Sequence, residues 1–112
     1  MKLMIVGSRS IQNFDLTPHI PQNVDLIITG GAQGIDSLAE EYADRHKISK
    51  LILRPRYDLY GKPAPIFRNK QMVELADQIL VIWDGHSRGT QSTIEFARKK
   101  QKPITIVQKP IS

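Results

Sequence analysis

Cysteine is absent from this chain, which excludes disulfides, thiolate catalysis and zinc or iron–sulfur sites built on thiolates. Also missing is any apolar run approaching the roughly 20 residues that span a bilayer. The opening Met-Lys-Leu-Met-Ile-Val-Gly does not read as a secretory signal, because its apolar stretch is short and runs straight into a strand pattern. A reducing, cytoplasmic setting with no membrane partner is therefore expected. There is no internal repeat, low-complexity tract or linker, and His86 has no companions at metal-ligand spacing, so neither a metal nor a cofactor is predicted. The 112 residues fit one domain, residues 1 to 112, which is too small to divide into cofactor and substrate domains. Any site then lies on the domain's rim or at a subunit interface.

Acidic residues are scarce in the second half. Residues 51 to 112 hold eleven bases against five acids, whereas residues 1 to 50 hold five against six, and the net charge is +5. An anionic partner fits that bias. Arg98, Lys99, Lys100 and Lys102 have a plainer explanation, since cations at a helix C-terminus favour the macrodipole.

Apolar runs rich in Val, Ile and Leu recur at Leu3 to Val6, Val24 to Ile28, Leu51 to Leu53, Ile79 to Trp83 and Ile104 to Val107. Helical or mixed segments separate them, which is a βαβ rhythm. Continuous apolar strands are buried on both faces, so the expected fold is a three-layer α/β/α Rossmann-like domain with a mainly parallel five-stranded sheet. Ile35, Leu38, Ala39, Tyr42 and Ala43 follow a helical period, with Asp36 or Ser37 as the cap. A later helix is predicted from near Pro65, with Ile66, Asn69, Val73 and Ala76 on one stripe and Arg68, Met72 and Leu75 on the next. Another runs from Thr90 to about Lys100, buries Ile94 and Ala97, and stops before Pro103. Pro18 and Pro21 leave the first crossover irregular or briefly helical.

In such a sheet every strand-to-helix turn lies at the carboxyl edge. Four segments should therefore converge: Gly7-Ser8-Arg9-Ser10, Thr29 to Ser37, Arg54 to Asn69, and Asp84 to Thr90. The second contains Gly30, Gly31 and Gly34 between strand and helix, where unpaired N–H groups and the lack of a Cβ let an anion approach. It is neither a Walker A motif, since no Gly-Lys-Ser/Thr follows, nor the dinucleotide fingerprint, since the glycines do not follow the first strand. Ser87, Arg88, Gly89 and Thr90 form either a second anion cradle or a turn capped by Thr90. Asn69, turned toward a buried stripe, needs a backbone or ligand partner. Trp83 reads as core. Asp36, Asp84 and Glu95 are the acids near the rim, and no pairing of nucleophile with base declares itself.

Gly-Ser-Arg-Ser at 7 to 10, Thr-Gly-Gly-Ala-Gln-Gly-Ile-Asp-Ser-Leu-Ala at 29 to 39, Phe-Arg-Asn-Lys-Gln-Met at 67 to 72 and Ser-Arg-Gly-Thr at 87 to 90 together resemble the SLOG superfamily. The spacing is most similar to its small YspA-like members. That resemblance implies a nucleotide or nucleotide-derived ligand at Gly7, Ser8, Arg9, Gly30, Gly31, Gly34, Asp36, Arg68, Asn69, Ser87, Arg88, Gly89 and Thr90, in a possible homo-oligomer. Two branches imply other functions. Lonely Guy enzymes are nucleoside monophosphate phosphoribohydrolases; Arg68 and Met72 match their Arg-x-x-x-Met segment, but Ser92 and Thr93 stand where their glutamates fall and Glu95 comes two residues later. The DNA-processing protein A (DprA) family, which carries similar Gly-Ser-Arg, Gly-x-Ala-x-Gly-Ile-Asp and Arg-Asn segments, binds single-stranded DNA. Here Tyr57 and Tyr60 beside Arg54, Arg56 and Lys62 supply a stacking-plus-charge signal.

Overall fold

A computed structural model describes residues 1 to 109. Strands β1 (Lys2–Gly7), β2 (Leu26–Thr29), β3 (Ser49–Ile52), β4 (Gln78–Trp83) and β5 (Ile104–Gln108) form one sheet in the order β3-β2-β1-β4-β5. All four pairings are parallel. Helices α1 (Ile35–Arg45), α2 (Tyr57–Tyr60), α3 (Ala64–Leu75) and α4 (Arg88–Lys99) complete the Rossmann-like α/β architecture, with a 3-10 turn at Thr17–His19 in the first crossover. No helix among the described residues is long and apolar enough to cross a membrane.

The period of two along each inner strand divides the core into two layers. Leu3, Ile5, Ile27, Leu80 and Ile82 face α1 and the first crossover, where Ile35, Ala39, Tyr42, Ala43, Ile11 and Leu16 meet them. Met4, Val6, Ile28, Ile79 and Val81 face the other way, onto Met72, Val73 and Ala76 of α3 and Ile94 and Ala97 of α4. Each fully buried Ile or Leu contributes about 1.5–3 kcal/mol, so these two layers supply most of the drive to fold.

Several expectations are corrected. The apolar run at Leu51 to Leu53 is not a buried strand: β3 starts earlier, at Ser49, and lies at the sheet edge with three of its four residues exposed. Residues 57 to 60 form a short helix where only a loop segment was expected. On α3 the stripes are displaced, because Ile66 and Leu75 are exposed while Ala64, Arg68, Met72 and Val73 are buried. Helix α1 takes Gly34 as its N-cap, without a side-chain cap; Asp36 and Ser37 lie inside its first turn. Helix α4 begins at Arg88 and is capped by Ser87, not Thr90: the Ser87 hydroxyl accepts hydrogen bonds from the Thr90 N–H and the Thr90 hydroxyl.

Candidate functional site

The strand order reverses between β1 and β4. Chains leaving those two strands turn to opposite faces of the sheet, and a crevice opens between them at the carboxyl edge, the usual ligand position in open α/β sheets. Here it is a cavity of about 430 Å³ lined by Val6, Gly7, Arg9 and Ser10 after β1, Ala32 and Asp36 at the start of α1, Pro65, Arg68 and Asn69 on α3, and Asp84, Ser87, Gly89, Thr90 and Thr93 after β4. The four segments expected to converge do so.

Local chemistry explains how each wall is held. Ser8 is buried, with its N–H donating to the Ile82 carbonyl at 3.0 Å and its hydroxyl accepting from the Asp84 N–H at 3.0 Å. It therefore ties the ends of β1 and β4 together instead of facing the cavity. Asp84 organises the next turn: one carboxylate oxygen accepts from the N–H groups of His86 and Ser87 at 2.8 and 2.9 Å, and the other accepts from the Ser10 hydroxyl at 2.9 Å. The two backbone donors are the main cause that pulls its pKa down to about 2, so it remains a carboxylate at neutral pH.

The glycine turn packs on this platform. Gly34 has φ +78°, and a Cβ there would lie within 2.6 to 2.7 Å of the carbonyl oxygens of Arg9 and Ser8. Only glycine lets the two loops touch. With no side chain capping α1, its first N–H groups lie beside the crevice and carry the positive end of the helix dipole.

Asp36 and Arg68 share the inner wall. The Asp36 carboxyl is buried and accepts from the Ala32 N–H at 3.2 Å. Burial pushes its pKa up, while the Ala32 N–H, the Arg68 charge, the Thr29 hydroxyl and the Gly30 N–H act in the opposite direction. Thr29 Oγ1 is itself fully buried and makes no hydrogen bond of good geometry, so its effect on Asp36 is one of proximity. Arg68, a buried residue, donates from Nη1 to the carbonyls of Gly30 (2.7 Å) and Leu53 (3.3 Å), and from Nε to Asn69 Oδ1 (2.7 Å). Three of its five donors are thereby committed and Nη2 has no protein acceptor among the described residues. Desolvation lowers its pKa, opposed chiefly by Asp36, yet a guanidinium stays charged.

A second cavity of about 290 Å³ adjoins the first across Arg9, Ala32 and Arg68. Its other walls are Gly30, Gly31, Arg54, Pro55 and Tyr57. Arg54 Nη1 donates to the Gly31 carbonyl at 3.1 Å, which fixes the arginine beside the turn.

Of the residues singled out from the sequence, Gly7, Arg9, Asp36, Arg68, Asn69, Ser87, Gly89 and Thr90 line the larger cavity, and Gly30 and Gly31 line the smaller. Ser8 and Gly34 support the walls from beneath, and Arg88 is exposed in the first turn of α4. Thr93 and Pro65 are lining residues that the sequence did not mark; the helical offset of three between Thr90 and Thr93 was the available signal for the first. Glu95 is exposed and lines neither cavity. Arg56 is exposed and paired with Asp58. No group of three or more His, Cys, Asp or Glu side chains among the described residues is placed to hold a metal ion. No family model matches the chain, and no curated protein or solved structure is significantly similar to it.

Proposed function

We propose that the chain is a SLOG-like module that binds a nucleotide or nucleotide-derived phosphorylated ligand in the crevice between β1 and β4. The observation that carries this reading is the composition of that crevice. An uncapped helix N-terminus, a glycine turn and the Arg9 and Arg68 guanidiniums meet there with Asn69, Asp36 and Asp84. Phosphoryl oxygens suit the guanidiniums and free N–H groups. Sugar hydroxyls suit the carboxylates and the Asn69 amide, since a hydroxyl donates well to an ionised oxygen. Arg88 is exposed and lies in the chain between the lining residues Ser87 and Gly89, where it adds positive charge near the crevice.

N-glycosidic hydrolysis is supported less well. Among the lining residues the acids are Asp36 and Asp84. Asp84 is committed to three donors and held near pKa 2, which removes it as a general acid. Glu95 does not line the cavity. A sensor or carrier role fits better than a hydrolase, and a second copy of the chain completing the rim is part of the same reading.

Calorimetry with a panel of nucleoside 5′-monophosphates tests it. Saturable binding is expected, weakened about tenfold in Arg88→Ala and Arg9→Ala, where an exposed cation is lost without touching the core. No heat from any member, together with no nucleotide detected by mass spectrometry of the protein as purified, overturns the proposal.

A further inference from the structure

Positive charge is not spread evenly over the two adjoining cavities. The larger one balances Arg9 and Arg68 against Asp36 and Asp84, whereas the smaller one holds Arg9, Arg54 and Arg68 and no acid at all. Arg9 and Arg68 are shared by the two cavities, so Arg54 is the added cation, and no carboxylate lines the cleft beside it to offset its charge. Nη1 of Arg54 is spent on the Gly31 carbonyl, which orients the rest of its planar fork. The same cleft is walled by Tyr57, a large aromatic residue left 57 % exposed although Tyr60, on the same short helix, packs against Phe67 at a centroid distance of 4.6 Å. An exposed ring beside a cationic groove is the arrangement that stacks a nucleobase while the groove holds its phosphate.

We infer that this second cleft is a subsite for a further phosphoryl group and its base, so that the preferred ligand is dinucleotide-like and spans both cavities across Arg9, Ala32 and Arg68. The inference rests on the nucleotide-binding reading of the first crevice and names the class of ligand that the crevice takes. A 5′-phosphorylated dinucleotide, free or as part of a single strand, has the required chemistry: two phosphate groups, two flat bases and a flexible link. A mononucleotide confined to the first cavity leaves the Tyr57 ring and the remaining donors of Arg54 uncovered.

The test compares AMP, the 5′-phosphorylated dinucleotide pApA and a ten-residue oligothymidylate by calorimetry on the full chain at fixed salt. The dinucleotide is expected to bind at least tenfold tighter than AMP. Tyr57→Leu should remove most of that advantage while leaving AMP affinity within twofold, because Tyr57 lines the smaller cavity and not the larger. Arg54→Gln, which keeps a donor for Gly31, should reduce dinucleotide affinity more than AMP affinity. A ten-residue strand no tighter than pApA identifies a free dinucleotide as the ligand; a strand tighter by tenfold or more, with steep salt dependence, identifies single-stranded nucleic acid, and both outcomes support the second subsite. Equal affinity for AMP and pApA, or an equal loss for both ligands in Tyr57→Leu, overturns the inference and leaves the mononucleotide reading intact. Failure of all three ligands to bind overturns both.

Discussion

Arg68 Nη1 lies 2.7 Å from the carbonyl oxygen of Gly30, and a Cβ on residue 30 would come within 2.6 Å of that same nitrogen and 2.9 Å of Asp36 Oδ2. The hydrogen bond and the glycine therefore require each other. Sequence reasoning assigns Gly30 to a phosphate cradle; in the structure its lack of a side chain also admits a guanidinium from α3. Gly30→Ala should cost roughly 1–3 kcal/mol through forced repacking of the wall, read as a lower urea midpoint with an unchanged slope. A midpoint equal to the parent's would show that Arg68 withdraws freely.

Arg68 joins the ends of β2 and β3 to α3, so its loss should show in stability as well as in binding. Arg68→Ala leaves the Gly30 and Leu53 carbonyls without a donor and Asp36 without its nearest cation. A cost of about 2 kcal/mol is expected, below that of a fully buried pair because the guanidinium is partly solvated. Arg68→Lys keeps the charge but not the fork, and should recover less than half of that loss. Full recovery by lysine in thermal unfolding would mean that charge alone matters here.

Asp84 should make the protein acid-sensitive. Its folded pKa is about 2 against an ordinary 3.8, so the unfolded chain takes up a proton first as pH falls. The stabilisation is complete above about pH 4 and fades as pH drops toward 2. After allowance for its partial exposure to solvent, its contribution is roughly 1 kcal/mol. The stability difference between parent and Asp84→Ala should accordingly shrink from pH 6 to pH 2.5, and a constant difference would assign the effect to packing.

Asp36 should act with the opposite sign. Burial raises its folded pKa above 3.8, so the folded state holds a proton that the unfolded state has already released. Stability from this group falls as pH rises from about 3.8 through the folded value, then levels off. Asp36→Asn, neutral throughout, should gain on the parent across that window in urea titrations at successive pH values. A difference that does not change with pH would remove Asp36 as a source of pH dependence.

The sheet and its rim were legible in the sequence because they depend on local signals. Runs such as Leu3 to Val6 and Ile79 to Trp83 mark the inner strands, and glycines at 30, 31 and 34 before an amphipathic segment mark the turn. What escaped depends on distant partners. Periodicity puts Ile66 on the buried stripe, yet it is exposed, and Arg68 of the neighbouring stripe is buried because carbonyls 38 and 15 residues away accept its hydrogen bonds. Asp84 likewise looked like a candidate acid, until its partners at Ser10, His86 and Ser87 were visible together. The Leu51 to Leu53 run misled for a related reason, since hydrophobicity does not say which strand lies at an edge.

The parallel pairing of β1 with β4, Leu3 against Gln78 through Gly7 against Ile82, joins the first strand of the chain to its fourth. β1, β2, α1 and β3 all lie within residues 1 to 53, but one bank of the crevice follows β4, from Asp84 to Thr93. Joining strands so far apart in the chain carries a loop-closure cost. The crevice therefore exists only once this long-range pairing is made, and a chain cut before β4 would keep one of its walls and lack the other.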